Sequence, residues 1–147
     1  MKVLIIYDSL YGSTAKIAQA MGEALGKDAE VIKTDQVKFQ SIAAYDFILV
    51  GSPTHGGRPS PPMLAFLDSI PADAVQNKKA AAFDTRLKTA LVKMFGFASP
   101  RIEKVLKEKG ANIVARTEGF LVSTGKTPVI LEGETERAVA WVKTLAV

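Results

Sequence analysis

Apolar residues fall in two alternating patterns along the chain. Short, nearly continuous β-rich runs appear at Val3–Tyr7, Ala29–Lys33, Phe47–Val50 and Ala80–Phe83, and again at Asn112–Ala115 with Gly119–Val122. Such runs suit strands of a parallel sheet covered on both faces. Between them lie segments with one-sided stripes. Thr14–Leu25 places Ile17, Met21 and Leu25 four residues apart, and Met63–Ser69 follows a Pro-rich stretch and carries Leu64 and Leu67. Pro100–Lys109 carries Ile102, Val105 and Leu106, and Glu134–Leu145 carries Ala138, Trp141, Val142 and Leu145. These stripes predict amphipathic helices packed on a sheet. The stretch Gln36–Tyr45 has little helical periodicity.

Strand and helix alternating in this order predict an α/β fold: a doubly wound, five-stranded parallel sheet, order 2-1-3-4-5, with helices on both faces. In such sheets ligands bind beyond the carboxyl ends of the strands, at the switch point between strands 1 and 3. The segments after Tyr7, Val50 and Phe83 are therefore the candidate site.

Composition narrows the chemistry. The 147 residues, 48% hydrophobic and 23% charged, read as one globular domain spanning 1–147. There is no cysteine, so disulfides, thiol redox chemistry and thiolate metal sites are excluded, and a single histidine, His55, argues against a His-rich zinc site. No run approaches the 18 or so apolar residues of a membrane span. Asp8 closes the first apolar run without a small-residue cleavage site, so a buried strand is expected there and a cytoplasmic protein overall. The formal charge is +4, but no basic run carries interleaved aromatics. That pattern favours an effect on solubility and partner choice over nucleic-acid binding.

After the first strand comes Asp8-Ser9-Leu10-Tyr11-Gly12-Ser13-Thr14, then a helix. Three hydroxyls, a glycine for a tight turn and the free amides of a helix start make a phosphate cradle. No Lys or Arg occupies the loop, which suits a monophosphate, and the Gly-Lys-Ser/Thr of a triphosphate loop is absent from it. A capped βα turn with polar residues is the plainer account of the same composition. The spacing Ile5-Ile6-Tyr7-x-Ser9-x-x-Gly12-x-Thr14-x-x-x-Ala18 closely resembles the FMN-phosphate signature of the flavodoxin family, departing only at its last apolar position, Met21.

The resemblance extends along essentially the whole chain. It implies a flavodoxin fold, FMN as cofactor and electron transfer as the activity. It places Ser9, Leu10, Tyr11, Gly12, Ser13 and Thr14 around the phosphate. Gly51-Ser52-Pro53-Thr54 resembles the opening of the family's second loop, so Ser52, Pro53, Thr54, His55, Gly56 and Gly57 are implied along the flavin. Ser52 and Thr54 would bond the ribityl chain or ring edge, and Gly56 or Gly57 would permit a peptide flip. His55 is either catalytic or, more simply, a shield for the ring. Arg58 is either a solvated charge or a cation that favours the reduced flavin. The third loop implies Asp84, Thr85, Arg86 and Leu87, with Asp84 orienting a ring N–H. Met94, Phe95 and Phe97 read as core or lid residues, and Ser99 before Pro100 as a helix cap.

The family's usual Trp and Tyr sandwich is not matched, because the only tryptophan, Trp141, falls on a core-facing helix position. The basic balance implies a less negative potential for the second electron and redox partner proteins with an acidic docking face, the carrier being a monomer or weak dimer. An FMN-dependent NAD(P)H or quinone oxidoreductase is the alternative on the same fold. A phosphorylated receiver would need a carboxylate at Val50-Gly51-Ser52, where there is none. A degenerate module that binds a partner and no flavin fits poorly with the intact first loop.

Overall fold

The computed structural model describes residues 1–88 and 96–145. The expectation for Met94 and Phe95 lies outside the described residues. In chain order the elements are β1 (Val3–Tyr7), α1 (Ser13–Leu25), β2 (Ala29–Lys33), β3 (Phe47–His55), β4 (Arg58–Pro59), α2 (Pro61–Ser69), β5 (Lys79–Leu87), α3 (Ala98–Glu108), β6 (Asn112–Ile113), β7 (Glu118–Val122) and α4 (Glu134–Leu145). A short 3-10 turn, Phe39–Ala44, buries Ile42 where the sequence shows little periodicity.

The parallel sheet runs β2-β1-β3-β5-β6, and β7 also pairs in parallel with β5, further along it. β6 and β7 are thus two halves of one edge strand, which gives the expected 2-1-3-4-5 order. Side chains alternate between the faces with period two. Leu4, Ile6, Ile48, Val50, Ala80 and Ala82 pack against Phe66, Leu67, Ile102 and Leu106, from α2 and α3. Val3, Ile5, Phe47, Leu49, Ala81 and Phe83 pack on the other face against Ile17, Met21, Ala138 and Val142, from α1 and α4. Trp141 belongs to this second layer, edge-on to Phe83 and Phe120 at 6.5 and 6.0 Å.

Two strands outrun their apolar cores. β3 continues to His55 and β5 to Leu87, with Ser52 paired to Asp84 and Pro53 to Thr85. The sequence places loops here because polar residues replace the apolar run, yet the backbone ladder itself continues. β3 then reverses into β4 through Gly56 and Gly57, with φ of 58° and 79° and His55 opposite Arg58. Two consecutive positive φ values are what a tight right-twisted hairpin requires, and glycine supplies them without strain. The second loop is therefore largely an ordered hairpin.

Candidate functional site

β1, β3 and β5 deliver their ends to one side of the sheet, and a cleft of about 130 Å³, partly open to solvent, lies there. The first loop contributes Ser9, Leu10, Tyr11, Ser13 and Thr14. Pro53, Thr54 and His55 come from β3, and Thr85, Arg86 and Leu87 from β5. Val122 and Pro128 complete the wall, and sequence reasoning missed both. Val122 ends β7 and Pro128 follows it, at the carboxyl end of the fifth strand position, so the rule applied to strands 1, 3 and 4 also reaches them.

The first loop is built from its own hydrogen bonds. Gly12, at φ 95°, precedes α1 as its N-cap, and its amide donates to Ser9 Oγ at 3.0 Å. The amide of Ala15 donates to the same oxygen at 3.3 Å. Among the described residues no protein acceptor takes the amides of Ser13 or Thr14, the usual state of a helix start. Thr14 Oγ1 lies 2.9 Å from Thr85 Oγ1 and ties the loop to β5. Tyr11 is 61% and Leu10 45% exposed at the rim.

Several expected residues are engaged elsewhere. Ser52 is fully buried, its Oγ taking the amide of Ser60 at 3.0 Å and donating to the Pro53 carbonyl at 2.9 Å, so it does not line the cleft. Ser60, the N-cap of α2, donates to the buried Asp8 carboxylate at 2.5 Å. Gly12, Gly56 and Gly57 shape the walls but do not line them.

Asp84 does not meet the cleft either. It is fully buried and takes two bonds from Arg86, Nε at 2.7 Å and Nη2 at 2.8 Å. Ser99 supplies two more, from its amide at 2.9 Å and its hydroxyl at 2.6 Å. Helix α3 accordingly begins at Ala98, before Ser99, and a carboxylate from β5 meets the first-turn amide in place of a local cap. Arg86 itself stays on the cleft wall, its guanidinium 3.5 Å from the Phe97 ring centre. It also lies against Gly119, where an added Cβ would come within 2.0 Å of Nε. Its charge is matched by Asp84.

The donor set fits a phosphomonoester: hydroxyls and amides at one end, apolar Leu10, Pro53, Leu87, Val122 and Pro128 along the walls. No group of three or more potential metal ligands occurs among the described residues. No helix among them is long and apolar enough to cross a membrane.

The fold is that of a doubly wound α/β protein with a donor-rich, cation-poor loop at its β1/β3 switch point. The sequence model described as Flavodoxin domain matches residues 4–125. The chain belongs to the flavodoxin domain family. An uncharacterised protein of Methanocaldococcus jannaschii is 34% identical over 115 residues, covering 78% of this chain and 71% of that protein. A flavodoxin of Aquifex aeolicus is 32% identical over 91 residues, 57% of this chain and about half, 49%, of that protein. Among solved structures, a flavodoxin from the domain Archaea superimposes with a TM-score of 0.82 at 23% identity, covering 99% of this chain and 96% of that one.

Proposed function

We propose that this protein binds one FMN non-covalently and carries electrons between redox partners. One observation carries the reading: a single cleft joins the hydroxyl and amide donors of Ser9, Thr14 and Thr85 to apolar walls at the β1/β3 switch point. FMN, when bound, supplies one- and two-electron chemistry, which the protein orients and tunes. Ser9, Thr14, Thr85 and the free amides of the α1 start would hold the phosphate. Leu10, Tyr11, Pro53, His55 and Leu87 would wall the flavin and keep water off it. The exposed rim at Leu10 and Tyr11 offers a contact surface, and the formal charge of +4 favours a partner with an acidic docking face.

The test is titration of the purified protein with FMN, read by flavin fluorescence and visible absorbance. One flavin per chain, with quenching, is the expected result. No response at micromolar protein would overturn the reading. Sustained oxidation of NADH or NADPH with a quinone, without a separate reductase, would replace the carrier by an oxidoreductase.

A further inference from the structure

The first loop presents three hydroxyls, Ser9, Ser13 and Thr14, which the sequence gives no reason to treat differently. Counting hydrogens separates them. A hydroxyl has one hydrogen to donate and two lone pairs. Ser9 Oγ accepts from the amides of Gly12 and Ala15, at 3.0 and 3.3 Å, so its lone pairs are filled. Its hydrogen has no acceptor among the described residues. Thr14 and Thr85 share one hydrogen bond of 2.9 Å, and whichever donates, the pair keeps one hydrogen to give. Ser13 differs: its hydroxyl donates to the Pro128 carbonyl at 3.1 Å, across 115 positions of sequence.

Pro128 sits in a hairpin that follows β7. The Ser123 amide donates to the Val129 carbonyl at 2.8 Å, the Leu131 amide to the Leu121 carbonyl at 3.0 Å, and the Val129 amide to Ser123 Oγ at 3.0 Å. Val122 and Pro128 line the cleft from this side, facing the loop that carries Ser13. A phosphate dianion offers only acceptors. Were Ser13 to turn its hydrogen toward the phosphate, the Pro128 carbonyl would lose its donor beside an anion, an acceptor left unpaired against negative charge.

We infer that Ser13 is a positioning residue: it latches the hairpin of residues 123–131 in place as the outer wall of the cleft. Ser9 and the Thr14–Thr85 pair supply the hydroxyl donors to the phosphate. This rests on the FMN reading and deepens it, because it divides the loop into donors and a latch.

The experiment compares FMN with riboflavin, which has the same ring and no phosphate, titrated into wild type, Ser9→Ala, Thr14→Val (made together with Thr85→Val, since either hydroxyl alone would keep a hydrogen to give), Ser13→Ala and Ser13→Thr. The ratio of riboflavin Kd to FMN Kd reads the phosphate alone. It should fall about tenfold or more in Ser9→Ala and Thr14→Val, the scale of a hydrogen bond to a charged group. In Ser13→Ala it should stay within about twofold while both flavins weaken together. Amide hydrogen exchange in residues 121–131 should then speed up, and Ser13→Thr should restore both readouts. Should Ser9→Ala fail to fold, Thr14→Val carries the donor arm. A ratio that falls in Ser13→Ala as far as in Thr14→Val makes Ser13 a phosphate donor and overturns the inference. Unchanged exchange in Ser13→Ala overturns it as well. Wild type that binds neither flavin overturns the FMN reading instead, and the exchange arm still tests the latch.

Discussion

Arg86→Met isolates the most heavily bonded buried charge at the site. Asp84 is entirely inaccessible, and the Arg86 side chain is 19% exposed. The pair is bidentate at 2.7 and 2.8 Å, with Ser99 completing the carboxylate through two more bonds. Removing one partner of a buried pair generally costs about 3–5 kcal/mol, since the other charge is stranded. Here Ser99 and the start of α3 still stabilise the anion, so the lower end, about 3 kcal/mol, is expected. For a chain of this size that is a fall in Tm on the order of 10 °C. Urea denaturation measures it directly, with the double substitution Asp84→Asn/Arg86→Met as the control. The double variant has no stranded charge, and the carboxamide that replaces the carboxylate keeps an oxygen for Ser99, so most of the loss should return. A single variant within about 1 kcal/mol of wild type, or a double variant no better than the single, would refute the claim that Asp84 depends on Arg86.

Gly51→Ala should destabilise by about 3 kcal/mol or prevent folding, because the added Cβ would lie 2.1 Å from a ring carbon of the fully buried Phe83; thermal melts of the variant check this. Burial pushes the Glu134 carboxyl up, but its bonds to Arg137 and to the Leu121 amide, with the charges of Arg137 and Lys88, outweigh that and hold it below its usual value of 4.5. A lowered native value contributes stability above the unfolded pKa that is lost as pH falls through the native one. Glu134→Gln should therefore flatten the acid side of the stability curve below about pH 4.5 in urea melts. Tyr45 is raised to about 12, first by its hydrogen bond to Glu30, then by burial and the Glu30 charge. Its contribution is complete below 10.0 and lost as pH rises through about 12. Phenolate absorbance should show a step near pH 12 that Tyr45→Phe removes.

How much of this was legible in sequence depended on what kind of force placed each residue. β1, β2 and α4 begin and end where the apolar pattern says, and in β1 burial sets the limits. β3 and β5 do not, because backbone pairing carries both strands past their continuous apolar runs, through the rungs Ser52–Asp84 and Pro53–Thr85. That extension decides the site. The register sets Ser52 against Asp84 and Pro53 against Thr85; the first pair is buried or engaged beneath the cleft, and the second lines it. A boundary falling between consecutive rungs is invisible to a motif, which names both residues alike. The first loop was legible because its chemistry is local: Ser9, Gly12 and Ala15 bond one another within six positions. The bond from Ser13 to Pro128 spans the chain and had no local signal.

Charge is distributed on two scales. Inside the cleft the positive groups are dipoles, the amides at the start of α1 and the hydroxyls beside them, and the one guanidinium on the wall is neutralised by Asp84. Burial penalises net charge there far more than it penalises dipoles. Paired and dipolar groups also guard the sheet edge, where Glu134 takes the Leu121 amide at 3.0 Å and Arg137 gives a hydrogen to the Gly119 carbonyl. Two side chains of α4 thus occupy β7 backbone groups that a further strand would pair, which closes part of the edge to another chain. The surplus behind the +4 balance therefore lies on exposed positions such as Arg58, opposite His55 at the hairpin end. With a screening length of about 8 Å at physiological ionic strength, charges there act on an approaching surface more than on the cleft interior. On the proposed reading, basic character would bear on which partner docks, while the cleft would hold the FMN phosphate by oriented neutral donors.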